Sequence, residues 1–218
     1  MKYDENKWYR IIDNAQSNYA YQLKRLSRND QRANFILIYY SLSLVVYNLT
    51  VKYFPSLLNE DITSFFSIVL SIVVLIYSIV NSNSRYPMRV AAVQQGLNKM
   101  KSLKRKIKLA GEFDKVREEY EKVVNNIEIR DDIDFYYTVR HLCKEYGINH
   151  ITGKDVKKDL ASLPTTRGDV DEIKSEIRGY ISELNPLLQE MHIIEQTLWH
   201  ILLYSAPVLI FLFCMCTK

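Results

Sequence analysis

The chain of 218 residues holds only six glycines and five prolines, and long stretches carry no turn cluster. That scarcity argues against a series of short strands joined by tight turns and favours helices. Its three cysteines, Cys143, Cys214 and Cys216, form no spaced quartet, so neither a disulfide framework nor a structural zinc site is expected. A reducing compartment for the soluble part fits this usage. The opening MKYDENKWYR contains no apolar run. No cleavable signal peptide is expected there, and insertion falls to internal segments. Patterns for a phosphate-binding loop, a dinucleotide fold, a zincin helix, a CxxC pair and a serine nucleophile elbow are all missing. His141 and Cys143 stand two apart, which sends them to different sides of a helix, and His150, His192 and His200 have no carboxylate cluster at ligand spacing. The paired acids Asp131 and Asp132, or Glu118 and Glu119, read as solvated helix faces. An enzyme is not expected, nor a cofactor or metal.

Charge is missing in places. Lys, Arg, Asp and Glu make up 25% of the chain, yet residues 35–54, 62–80 and 199–216 hold almost none of them. The middle stretch, ITSFFSIVLSIVVLIYSIV, has no charge at all and ends at the polar Asn81. About 20 apolar residues cover roughly 30 Å of hydrocarbon, so 62–80 reads as a transmembrane helix. Residues 33–54 are also apolar enough to cross, with Lys52 near the end to snorkel and Tyr53 and Phe54 at the interface. Asn48 lies deeper and requires a partner on a neighbouring helix or in a water-filled pore. The 18 residues 199–216 would make about 27 Å of helix and are assigned as a third span. Trp199, His200 and Tyr204 stand at one end of it and Lys218 at the other, and Pro207 is tolerable inside a membrane helix.

The short connection 55–61 makes the first two spans an antiparallel hairpin. It contains Glu60 and Asp61 and no Lys or Arg, whereas residues 1–32 carry seven Lys or Arg and 85–108 carry eight with no acid. The positive-inside rule then places both flanks in the cytoplasm and the hairpin tip outside. Tyr40, Ser43, Tyr47 and Thr50 share one face of the first span, and Ser64, Ser67, Ser71 and Ser78 share one face of the second. With Asn48, these residues are candidates for pore lining or for a close-packed seam between helices.

The remaining pattern is helical and amphipathic. Trp8, Ile12, Ala15, Tyr19, Leu23 and Leu26 form one apolar face of an N-terminal helix, whose far end carries Lys24, Arg25, Arg28 and Arg32 where anionic headgroups would lie. Beyond Pro87, the residues Val90, Val93, Leu97, Met100, Leu103 and Ile107 keep a heptad-like spacing up to Gly111. The opposite face bears Lys99, Lys101, Lys104, Arg105, Lys106 and Lys108, for which contact with anionic lipid ranks ahead of an anionic nucleotide; direct nucleic-acid binding is not expected. Phe113, Val116, Tyr120, Val123 and Ile127 continue the pattern, residues 133–146 form another helix, and 147–168 is read as a loop region with a short helix possible at 154–158. Asp169 and Glu172 resemble a capping box that opens a long helix through Ile177, Tyr180, Leu184 and Met191, kinked near Pro186. The expected architecture is all-α: an amphipathic helix over 1–33, a transmembrane hairpin over 34–80, a cytoplasmic helical bundle over 81–198 and a third apolar helix over 199–216.

The layout of YAYQLKRLSRNDQRANFILIYYSLSL, the hairpin, and then SRYPMRVAAVQQGLNKMKSLKRK resembles the SLATT proteins. These are two-transmembrane effector domains associated with SMODS nucleotidyltransferase and SLOG systems, and the likeness is strongest to the subgroup found beside reverse transcriptases. It extends over roughly residues 6–146 and more loosely to 195; the third apolar segment departs from a plain two-span pattern. The resemblance implies a homo-oligomeric effector in the bacterial inner membrane that permeabilises it during antiviral defence. A nucleotidyltransferase or a reverse transcriptase would then supply the trigger. The alternative is a membrane-anchored helical scaffold that recruits a nucleotide- or RNA-dependent partner.

Overall fold

The computed structural model describes residues 2–110, 113–146, 148 and 168–216, and among these the chain is all-α, with no strand. The helices are α1 (Lys2–Tyr53), α2 (Glu60–Ser84), α3 (Tyr86–Ala110), α4 (Phe113–Asn125), α5 (Asp132–Glu145), α6 (Gly168–Glu183) and α7 (Pro186–Cys216). The Gly111 break, most of the loop expected over 147–168 with its short helix, and the side chains of Lys108, Asp169 and Glu172 fall outside the described residues. The boundary at 33–34 lies inside a helix, and the one near Pro186 differs from expectation. The amphipathic arm and the first span form one unbroken helix, because nothing between Asn29 and Asn34 breaks the backbone pattern. Pro186 does not kink a long helix; the helix stops at Glu183, and Pro186 takes the first position of α7, where its missing N–H costs nothing.

The chain divides into two compact units, one of Met1–Leu26 with Met88–Ile193 and one of Ser27–Pro87 with Ile194–Lys218. In the first, the row on α3 is buried at Val93, Leu97, Met100, Leu103 and Ile107, as a heptad-like spacing requires, with Val90 half-buried. A further core gathers Phe135, Tyr136, Val139 and Cys143 of α5 with Ile148, Ile177 and Leu184. Gly96 gives α3 close approach to the chain after α4: a Cβ there would stand 1.9 Å from Ile127 Cδ1.

The face that α1 turns into this unit is not purely apolar. Ile12, Tyr19 and Leu26 are buried, but so are Asn18 and Gln22. Asn14 donates to Glu176 Oε1 and Tyr180 Oη at 3.3 Å each, and Gln22 donates to the Glu128 carbonyl at 3.4 Å. Arg25 completes the row with a two-pronged bond to Asp134, Nε to Oδ1 at 2.9 Å and Nη2 to Oδ2 at 2.8 Å. The Asp134 side chain is 1% exposed, and it also accepts from the Asp131 backbone N–H at 3.3 Å, which ties the pair to the start of α5.

Removing one partner of a buried ion pair leaves an uncompensated charge. Asp134→Ala is therefore expected to destabilise this unit by about 3 kcal/mol, read as a lowered urea midpoint in detergent, and Asp134→Asn by less. A second expectation concerns acid. Glu128 accepts from Arg89 Nε at 2.8 Å, and that hydrogen bond holds its carboxyl below the usual range. Its contribution is present above the unfolded carboxylate value and lost as pH falls through the lower folded one. Arg89→Ala should therefore weaken the fall in Tm over that acid window.

Candidate functional site

The second unit is built from the apolar parts of α1, α2 and α7. Each of these helices is long and apolar enough to cross a membrane, and fewer than a fifth of the residues in each span are buried in the protein. Phe35, Ile38, Leu42, Phe65, Ile68, Ile72, Leu202 and Leu209 all face outward. An apolar exterior of this extent is what lipid as solvent requires. The turn between α1 and α2 is held by the Leu57 N–H bond to the Phe54 carbonyl at 2.9 Å, with Leu58 buried beneath it. Asn59 caps α2 by accepting from the Ile62 N–H at 3.2 Å, and Glu60 and Asp61 complement the positive end of the helix.

The core of this unit is a seam between α1 and α7. Ile36, Tyr40, Tyr47 and Leu70 are its buried residues, with Tyr39, Leu203, Tyr204 and Phe211 packed against them. Pro207 lies inside α7 and has no N–H, so the carbonyl four residues earlier, on Leu203, loses its helical partner. Tyr40 donates its hydroxyl to that same carbonyl at 2.8 Å. Tyr39 donates to the Tyr204 carbonyl at 3.1 Å, Tyr47 donates to the Pro207 carbonyl, and the Tyr47 ring stacks on Phe211 with centroids 5.5 Å apart. Three tyrosines of the first span thus donate to three carbonyls of the third helix at or just before its proline, one of them the carbonyl that the proline orphans.

The polar residues singled out in the sequence are dispersed around this seam. Tyr40 and Tyr47 are 4% and 3% exposed and donate to carbonyls of the third helix, in a core that Leu70 of the second also joins. Ser43 is half-buried and donates to the Tyr39 carbonyl at 2.8 Å, one turn back on its own helix. Asn48 finds its partner across the hairpin: Ser67, which is buried, donates to Asn48 Oδ1 at 3.4 Å. Ser71 donates back to the Ser67 carbonyl at 2.8 Å. Ser64, Ser71 and Ser78 face outward.

The basic residues also divide. Arg25 is engaged by Asp134, while Lys24 and Arg28 are exposed, and Arg32 Nη1 donates to His200 Nε2 at 2.9 Å. On α3, Lys104 pairs with Asp13 and lies 4.7 Å from the Tyr9 ring, and Lys106 bonds both oxygens of Glu119, at 2.9 and 2.7 Å. Lys99, Lys101 and Arg105 are exposed. Among the described residues, no three His, Cys, Asp or Glu side chains gather at metal-holding distance. Burial pushes the Cys143 thiol up to about 11, which keeps it protonated and unreactive at neutral pH.

Two sets of partners escaped the sequence reading. Tyr40 and Tyr47 read as candidates for pore lining or a close-packed seam without the carbonyls they meet, although a proline inside a span signals an orphan carbonyl that some neighbour must answer. Asn14, Asn18 and Gln22 recur every four residues beside the apolar stripe, which signals a polar row on the buried face.

A family model described as the SMODS and SLOG-associating 2TM effector domain family 5 matches residues 21–213, nearly the whole chain and the entire tyrosine and proline seam. No curated protein and no solved structure matches the chain significantly.

The seam generates a double-mutant test. Tyr40→Phe strands the Leu203 carbonyl, and Pro207→Ala gives that carbonyl back an N–H donor. Tyr40→Phe is expected to lower stability in detergent by about 1 kcal/mol in the native background and by clearly less beside Pro207→Ala, as measured by thermal unfolding. Equal losses in both backgrounds would show that the two groups are not coupled.

Proposed function

Because the chain belongs to the SMODS and SLOG-associating 2TM effector family, we propose that it is a membrane effector of bacterial defence whose copies assemble and permeabilise the inner membrane on activation. The observation that carries this reading is the outward row of Ser64, Ser71 and Ser78 on an otherwise apolar helix. Packing within one chain buries Ser67; Ser71 bonds only the Ser67 carbonyl of its own helix, and Ser64 and Ser78 face outward. Small polar residues favour contact between membrane helices, and two or three helices enclose no water path, so the row suits a seam against another copy or a lumen shared by several copies. The excess of Lys and Arg in 1–32 and 85–108 supports a cytoplasmic place for both basic flanks. A neighbouring nucleotidyltransferase or reverse transcriptase is the proposed origin of the trigger. Such a trigger opens the assembly only by binding its open state more tightly than its closed one.

The test is dye leak from liposomes that hold the purified full chain, with Ser64, Ser71 and Ser78 changed together to Leu. The native chain is expected to leak on activation, and the triple variant to leak about tenfold less while still assembling, because an apolar lumen excludes water. Absence of leak at every protein density and with every candidate activator would sink the pore. Undiminished toxicity from the triple variant would favour the scaffold reading, in which the hairpin is only an anchor.

A further inference from the structure

We propose that the polar end of the membrane unit holds one anionic phospholipid headgroup of the phosphatidylglycerol type. The proposal rests on the chain lying in a bilayer but not on its forming a pore. A cavity of about 290 Å³ opens where Arg32 precedes the first apolar segment, Asn81 follows the second, and Trp199 and His200 begin the third. Because all three ends meet there, the cavity lies at one face of the bilayer, at headgroup depth, and Trp199 suits that depth.

Its chemistry selects an anion. Among the described residues, no Asp or Glu lines the cavity. Arg32 spends one N–H on a neutral imidazole, a weaker partner than the carboxylate that Arg25 holds. A guanidinium only donates, so His200 Nε2 accepts and the ring proton stands on Nδ1. That buried Nδ1 has no partner among the described residues, and neither has the buried Oδ1 of Asn81, whose amide nitrogen donates to Asn34 Oδ1 at 3.4 Å. The lining residues therefore carry a guanidinium fork and an unpartnered ring N–H suited to the oxygens of a phosphodiester. Asn81 adds an acceptor for a hydroxyl next to the phosphate. Toward the hydrocarbon the cavity is lined by Tyr77 and Leu203, which suits the glycerol ester and the first methylenes of a lipid. The phosphate is the shared feature of lipid and free anion; the flanking apolar wall and the position at a membrane face favour the lipid.

Native mass spectrometry of the detergent-purified full chain decides the matter. Phosphatidylglycerol should be retained over phosphatidylcholine, and Arg32→Ala should reduce its retention about tenfold, because a fork to phosphate is lost. Arg32→Lys should lose part of it, and the exposed Arg28 should be replaceable by Ala with little change. Asn81→Leu should erase the preference for phosphatidylglycerol over phosphatidic acid, which has no headgroup hydroxyls. If Arg32→Ala lowers helicity, the Asn81→Leu comparison carries the decision. Equal retention of phosphatidylglycerol and phosphatidylcholine, or binding unchanged in Arg32→Ala or Asn81→Leu, would overturn the site. Displacement of the lipid by millimolar inorganic phosphate would overturn the lipid assignment in favour of a soluble anion. A liposome that fails to leak while the lipid is still retained would count against the pore alone.

Discussion

Inside a bilayer no water stands ready to bond a stray carbonyl, and Pro207 creates one on Leu203. The arrangement of the membrane unit follows from that constraint. A third apolar helix with an unanswered carbonyl would be costly in lipid anywhere except beside a donor, and the first span presents Tyr40 at the required place. Tyr39 and Tyr47 add further bonds to carbonyls of the same helix, on Tyr204 and Pro207. Between helices in lipid the hydrophobic effect supplies little attraction, so packing and such bonds determine which helix sits against which. The third helix is thereby held to the hairpin by the very residue that weakens its own ladder.

The unit formed by Met1–Leu26 and Met88–Ile193 faces the opposite problem. Its helices bury ordinary apolar rows, yet α1 inserts Asn14, Asn18, Gln22 and Arg25 on the same side. Such a row adds little net stability over an apolar one but punishes misalignment, since a shift of one helical turn would strand a buried Asp134. Register is what it supplies. Basic residues that look alike in sequence therefore have different tasks: Arg25 orders a core, Lys104 and Lys106 pair with neighbouring helices, and Arg32 stands at a cavity that no acid lines among the described residues.

The proposed activation requires a membrane part that can rearrange and a second part that biases it. Hydroxyls bonded to their own helix, as at Ser43 and Ser71, are carried through lipid at little expense and remain available when a helix meets a new neighbour. The outward serines and the lipid-facing apolar rows leave the protomer with surfaces that further copies can cover. The cavity around Arg32 touches the ends of all three spans, so an anion held there would bear on their packing together.

Periodicity and composition alone determined the helical class, the three apolar segments, the tight hairpin turn and the buried row on α3, because each depends on residues close together along the chain. Asn48 was visibly in need of a partner, and Ser67 lay on a serine stripe already noted. The rest waited for the tertiary structure. Tyr40 meets the Leu203 carbonyl across 163 positions, and Arg25 meets Asp134 across 109. Helical spacing states which face is buried but not what it is buried against, and a side chain with a donor to spare carries no mark of the distant acceptor that folding brings to it.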